Sequence, residues 1–251
     1  MADVLTASSR EKLWHKMRQD LCTYVPEIAG NQLLMCCTCG RFLPQEHFDL
    51  DHLIPQQALK HDPDAVRADP TTPANTRAGN LLLCKKPLNI KGDIVYRNGC
   101  NSWKGKFFDR FINELISAKV LNAKDCMDTH IIAALTLCYL AIVEEFGYII
   151  SLMPSGLVLR EQFFRPHKFH HQLPLYSSMF LAGDTITASH APVWARPFSF
   201  DFPRPGVCTV GARNFARMLP VSNDPREPIA RHLRIAPAKY NLRPNFRTVF
   251  E

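Results

Sequence analysis

Four short pieces within residues 35–110 decide how this chain folds: Cys36-Cys37-Thr38-Cys39, Phe48-Asp49-Leu50-Asp51-His52, Asn80-Leu81-Leu82-Leu83-Cys84 and Cys100-Asn101-Ser102-Trp103-Lys104-Gly105. The first has the C-x-x-C spacing at which a tight turn sets two thiolates on one zinc ion. In the second, alternation at Phe48, Leu50 and His52 predicts a short strand, and Pro55 marks its end. The third reads as another short apolar strand ending on a cysteine. The fourth opens a helix with a cysteine of its own. A Zn²⁺ ion shared by Cys36, Cys39, Cys84 and Cys100 would draw these distant segments together. Cys37 stands as an alternative to Cys36, although Cys37-x-Cys39 is tighter than a knuckle normally uses.

The rest of the chain is consistent with an ordinary globular protein. It has 251 residues, of which 46% are hydrophobic and 21% charged, enough to bury a sizeable core in one large domain or two modest ones. The formal net charge of +7 fits a polyanionic partner such as DNA. The N-terminal residues run straight into a polar, charged segment without the apolar stretch of an export signal. Nine cysteines, an odd number, then argue for reduced thiols, some on metal. The longest near-apolar run, residues 131–143, is followed by Glu144-Glu145 and falls short of the roughly 20 residues that span a bilayer. The expectation is a soluble, cytoplasmic protein with no membrane partner.

Around the deciding stretch, Leu13, Met17 and Leu21, with Trp14 and Val25, predict an amphipathic helix over 10–25, capped by Ser8 or Ser9. Residues 61–79 read as a long polar surface loop. From Asn101 the apolar stripe Phe107, Phe108, Phe111, Ile112, Leu115 and Ile116 predicts a helix, with Lys104, Lys106 and Arg110 lying among it. A second helix, over 128–152, is apolar around most of its circumference and should be buried. Beyond Pro154 the chain turns rich in Pro and Phe. Runs such as Leu157-Val158-Leu159 and Ala195 to Phe200 read there as irregular strands and loops. The expected class is α+β, with one unit over 1–125 and a second α+β region over 126–251, divided near 120–127 or sharing one core.

Asp51, His52, Asn80 and Asn101 give the stretch a chemistry. Phosphodiester hydrolysis needs a base that works near neutral pH, and histidine supplies one. It also needs a hard cation on the phosphate, which prefers oxygen ligands such as the Asp51 carboxylate and the Asn101 carbonyl. In a regular strand Asp51 and His52 face opposite sides, so both reach one cleft only if the chain twists or kinks after His52. No glycine loop of the phosphate-binding kind is present, so nucleotide hydrolysis is not indicated.

Taken in order, Asp51-His52-Leu53-Ile54-Pro55, Asn80 to Cys84 and Cys100-Asn101-x-x-Lys104-Gly105 resemble the HNH endonuclease family over residues 36–110. The resemblance implies a ββα-metal fold: two strands and a helix around one catalytic Mg²⁺ or Mn²⁺, with a structural Zn²⁺ on flanking cysteines. It implies His52 as general base, Asp51 and Asn101 as ligands of the catalytic cation, and Asn80 as the residue that orients the base. Lys104, one turn after Asn101, would meet a phosphate, with Lys106 and Arg110 as further DNA contacts. Cleavage would leave a 5′ phosphate and a 3′ hydroxyl.

The chain departs from the family's pattern in residues 85–99, inserted between the second strand and the helix. Asn89, within Leu88-Asn89-Ile90-Lys91-Gly92, half resembles the closing element, but it lacks the preceding cysteine and following apolar helix that Asn101 has. Lys85, Lys86, Lys91 and Arg97 make the insertion either a DNA-touching hairpin or a solvated loop. The cluster His167, His170 and His171 and the basic run from Arg226 to Arg247 read as surface segments. Two other readings stand beside the nuclease. One is a catalytically silent zinc ribbon that binds nucleic acid or protein. The other makes the nuclease an effector of bacterial anti-phage defence, docked by residues 126–251 onto a sensor or ATPase.

Overall fold

A computed structural model of the chain describes residues 2–60, 80–90, 93–96, 99–117, 126–164, 179–181, 197–204, 206–212 and 215–221. The 61–79 loop, Lys91, Arg97, the histidines at 167, 170 and 171, and the basic run beyond 221 lie outside these residues.

Helix α1 (Ala2–Tyr24) buries Trp14, Met17 and Leu21, three or four residues apart and therefore on one face, and Val25 follows them into the core. Strands β1 (Leu33–Met35) and β2 (Phe42–Pro44) form a hairpin whose tip is the Cys36–Gly40 turn. Gly40 adopts φ 79° there and donates its N–H to the Cys36 carbonyl at 2.8 Å. β3 (Phe48–His52) and β4 (Asn80–Cys84) pair antiparallel, with Phe48 opposite Cys84 and His52 opposite Asn80. The two strands anticipated from the sequence are thus present as a ladder. The short helix α2 (Gln56–Lys60) begins just after Pro55.

The insertion is a hairpin, β5 (Leu88–Ile90) with β6 (Asp93–Tyr96). Its ends meet. Gly99, at φ 79°, passes so close to the chain leaving β4 that a Cβ on it would lie 2.5 Å from both the Cys84 carbonyl oxygen and Lys85 Cα. Cys84 and Cys100 are therefore neighbours in space despite the insertion.

The helix expected after the insertion is divided into α3 (Gly99–Phe107) and α4 (Asp109–Ile116), broken at Phe108 with φ −123°. The apolar stripe splits with it: Phe108, Ile112, Leu115 and Ile116 are buried, whereas Phe107 is exposed. A straight helix brings residues three and four apart into contact. The break instead lets Asp109 return to Lys104, five residues earlier, at 2.8 Å.

The long apolar helix is also two. α5 (Asp128–Phe146) and α6 (Tyr148–Leu152) part at Gly147, φ 80°, where a Cβ would collide with the Asp20 carboxylate. α5 is long and apolar enough to cross a membrane, but 72% of its most apolar window is buried inside the protein, as a central core helix requires. Leu157-Val158-Leu159, read from sequence as strand, belongs to helix α7 (Pro154–Phe164). Proline suits the first turn of a helix, and burial of Leu159, Phe163 and Phe164 overrides the local β preference of the run.

β7 (Met179–Leu181), β8 (Phe198–Arg204), β9 (Val207–Ala212) and β10 (Phe215–Pro220) form an antiparallel sheet in the order β7-β10-β9-β8. The architecture is mixed helix and small antiparallel sheets, in keeping with an α+β class. Among the described residues, one buried cluster includes residues from Trp14 to Val221.

Candidate functional site

Strand β4, helix α3 and the knuckle hairpin deliver four thiols to one point. Cys36 and Cys39 come from the hairpin turn, Cys84 from the end of β4 and Cys100 from the first turn of α3. All four are buried, and their sulfurs lie within 4.8 Å of one another. Cys36 and Cys100 are 3.8 Å apart, Cys100 and Cys84 4.0 Å. Zinc–sulfur bonds of about 2.3 Å in a tetrahedron put the sulfurs ~3.8 Å apart, so the spacing fits Zn²⁺. All four cysteines are free thiols. Cys36 belongs to the cluster and its neighbour Cys37 does not.

The thiols differ in how readily they ionise: burial, with neighbouring sulfurs, pushes Cys39 and Cys100 well above their ordinary pKa. Burial opposes ionisation of Cys36, but hydrogen bonds from Cys100, Cys39 and Cys84 outweigh it and hold that thiol well below its ordinary pKa. Arg41 lies against the same sulfurs, 3.3 Å from Cys39 Sγ and 2.9 Å from Cys84 Sγ.

Beside the thiols, α3 lies across β3. The Asn101 side-chain amide donates to the Leu50 carbonyl at 3.3 Å. One turn later the Lys104 ammonium donates to the His52 carbonyl at 3.0 Å and to Asp109 Oδ1 at 2.8 Å, and pairs with Asp51 Oδ1 at 3.3 Å. Its three N–H donors are thereby matched by three oxygens. Lys104 is fully buried. The expectation that it meets a phosphate is therefore corrected: its charge is spent inside the protein, on Asp51 and Asp109.

Asp51 is itself buried, at 4% exposure. Desolvation, opposed by Lys104 and reinforced by Asp109, pushes its carboxyl up to about 6. Its second oxygen, Oδ2, is buried and has no hydrogen-bond partner among the described residues, and the same is true of His52 Nδ1. Burial lowers the His52 pKa, the neighbouring Asn80 amide opposes that, and the Lys104 charge adds to it. The imidazole is consequently neutral at physiological pH. Asn80 lies directly across the ladder from His52.

Lys106 and Arg110 are on the surface. Lys106 sits 5.3 Å over the Phe107 ring, and Arg110 pairs with Glu114 at 2.9 Å. Sequence reasoning missed Arg41, Asp109, Tyr139 and Tyr148. Tyr139 donates to the Cys37 carbonyl at 2.6 Å, and Tyr148 donates to the Met35 carbonyl, so α5 and α6 grip the knuckle from behind. Arg41, two residues after Cys39, was the one with a local signal. Comparison of the chain with protein-family models, curated proteins and solved structures gives no match.

Proposed function

We propose that this chain is a zinc-stabilised, metal-dependent endonuclease of the HNH kind that hydrolyses phosphodiester bonds of DNA. The observation that carries the reading is the meeting, at one end of a strand pair, of a neutral histidine, its cross-strand asparagine and a buried aspartate, under a helix that starts from a four-thiol site. Asp51 Oδ2 supports a cation there: it is a buried carboxylate oxygen without a partner. An oxygen-only donor set of Asp51 with the Asn101 carbonyl suits Mg²⁺ or Mn²⁺. Such a cation, when bound, would offset negative charge on the scissile phosphate and the leaving 3′ oxygen.

The protein's own residues do the rest. His52, held neutral by burial, accepts the proton of the attacking water. Asn80 fixes the ring across the ladder, and the Lys104 bond to the His52 carbonyl fixes the backbone that carries it. Lys106 and Arg110, with the net charge of +7, favour a polyanion whose binding weakens as salt rises.

The test is cleavage of plasmid DNA with Mg²⁺ by folded, zinc-loaded protein. The parent is expected to cut, and His52→Ala to cut about 10²–10⁴-fold more slowly. Intact DNA in every divalent metal and salt tried would remove the reading. One observation favours a rival, a silent zinc-bearing module that only binds: Asp51 Oδ1 is already engaged by an internal cation, Lys104. That rival predicts DNA retention without cleavage, equal for the parent and His52→Ala.

A further inference from the structure

Among the described residues, the three guanidinium nitrogens of Arg41 donate to four acceptors, and each leads somewhere different. Nε donates to Cys39 Sγ at 3.3 Å, on the knuckle. Nη2 donates to Cys84 Sγ at 2.9 Å, at the end of β4, and to the Lys86 carbonyl at 3.1 Å. Nη1 donates to the Pro87 carbonyl at 2.7 Å. The guanidinium therefore spans two of the four thiol ligands and the first residues of the insertion.

Two physical consequences follow from that placement. Four thiolates on Zn²⁺ leave a net charge of −2 in a buried site, which the low-dielectric interior penalises. A guanidinium on two of the sulfurs reduces it to −1 and blunts their reactivity, since charge-assisted N–H bonds draw electron density from the thiolates. The planar fork also fixes the peptide units of residues 86 and 87 relative to the same sulfurs. The same end of the insertion is also tied by the Lys85 N–H to the His47 carbonyl at 2.8 Å and by the Lys85–Asp49 ion pair at 3.3 Å.

We propose that Arg41 is the positioning residue of the cysteine site: it retains the metal by fixing the Cys39 and Cys84 sulfurs in place, and it fastens the 85–99 insertion to them. Loss of metal loosens the acceptors, so the insertion's base reports the state of the site. The inference rests on the four cysteines taking zinc and is independent of whether the protein cuts DNA.

The experiment uses the full chain, as parent, Arg41→Met and Arg41→Lys. Zinc affinity is measured by competition with a chromogenic chelator. Zinc release is timed after adding N-ethylmaleimide, and hydrogen exchange is followed at the amides of residues 86 and 88–90. Arg41→Met is expected to bind zinc about 10–100-fold more weakly, the usual effect of losing a group that orients metal ligands. It should release zinc at least about tenfold faster and exchange at 86 and 88–90 as the zinc-free parent does. Arg41→Lys keeps the charge and loses the fork, so it should retain most of the affinity and lose the exchange protection. Parent-like values in Arg41→Met overturn the proposal. If that variant does not fold, parent-like exchange in Arg41→Lys overturns it. A parent that takes up neither zinc nor Co²⁺ removes the metal site and this inference with it, whereas failure to cleave DNA touches neither.

Discussion

Lys104 is fully buried. Its ammonium has left water for two carboxylates and a carbonyl, and breaking such a buried set leaves charge uncompensated. Lys104→Met is therefore expected to lower the unfolding free energy by about 3–5 kcal/mol, read as a shift in denaturant midpoint at constant slope. Adding Asp51→Asn to Lys104→Met should recover part of the loss, because the orphaned carboxylate goes too. Strict additivity of the two changes would show that the residues do not interact. Asp20 poses a milder version of the same problem. It accepts the Tyr148 N–H at 2.5 Å, yet burial raises its pKa above the ordinary value of 3.8. A carboxyl whose folded pKa is raised contributes stability that is fully present below its unfolded pKa and is lost as pH rises through the folded one. Asp20→Asn keeps an acceptor for Tyr148 and cannot ionise. Its stability relative to the parent should therefore grow as pH climbs from below 3.8 through the raised value and then level off, which equilibrium denaturation across that range checks.

At the scale of elements, the crossing at Gly99 decides whether the second thiol pair forms. Alanine there would need φ near 79° and a Cβ 2.5 Å from backbone atoms of Cys84 and Lys85. Strained positive φ alone costs about 1–3 kcal/mol, and the clash pushes Cys100 away from Cys84. Gly99→Ala is expected to lose both stability and zinc, measured as metal per folded chain. An unchanged zinc stoichiometry would mean the crossing is looser than it stands here. This crossing also explains what could be read in the sequence and what could not. The β3–β4 pair was legible because Phe48, Leu50 and His52 alternate and Asn80 to Cys84 is a compact apolar run. The thiol set was legible because C-x-x-C and the two flanking cysteines leave little choice, apart from Cys36 against Cys37. The insertion looked like an interruption because linear spacing does not reveal that its two ends touch. Lys104 looked like a surface cation because its partners, Asp51 and the out-of-register Asp109, become neighbours only when α3 crosses β3 and breaks at Phe108. α7 was hidden for a different reason: Leu157-Val158-Leu159 takes its helical state from burial rather than from its own preference.

For the whole molecule, the question is whether the thiol site stabilises one unit or only the first half. The buried cluster is continuous, and two tyrosines from α5 and α6 hydrogen-bond to backbone carbonyls of the knuckle. Tyr139 also shares its hydroxyl with Ser151 Oγ at 3.0 Å, which ties α5 to α6 at the same place. Metal that organises the knuckle therefore organises the surface on which those helices pack, and binding to the folded state alone stabilises everything coupled to it. Removing zinc with a chelator is expected to lower the unfolding temperature in a single transition. Helical signal from α5 and fluorescence from Trp14 should fall together. Tyr139→Phe leaves the Cys37 carbonyl buried without its donor and should cost about 1–3 kcal/mol. In the chelated protein, where the knuckle has lost its anchor, the same change should cost less. Two separate transitions, with α5 indifferent to chelation, would instead show a division near residue 126 and make the second half an independent domain.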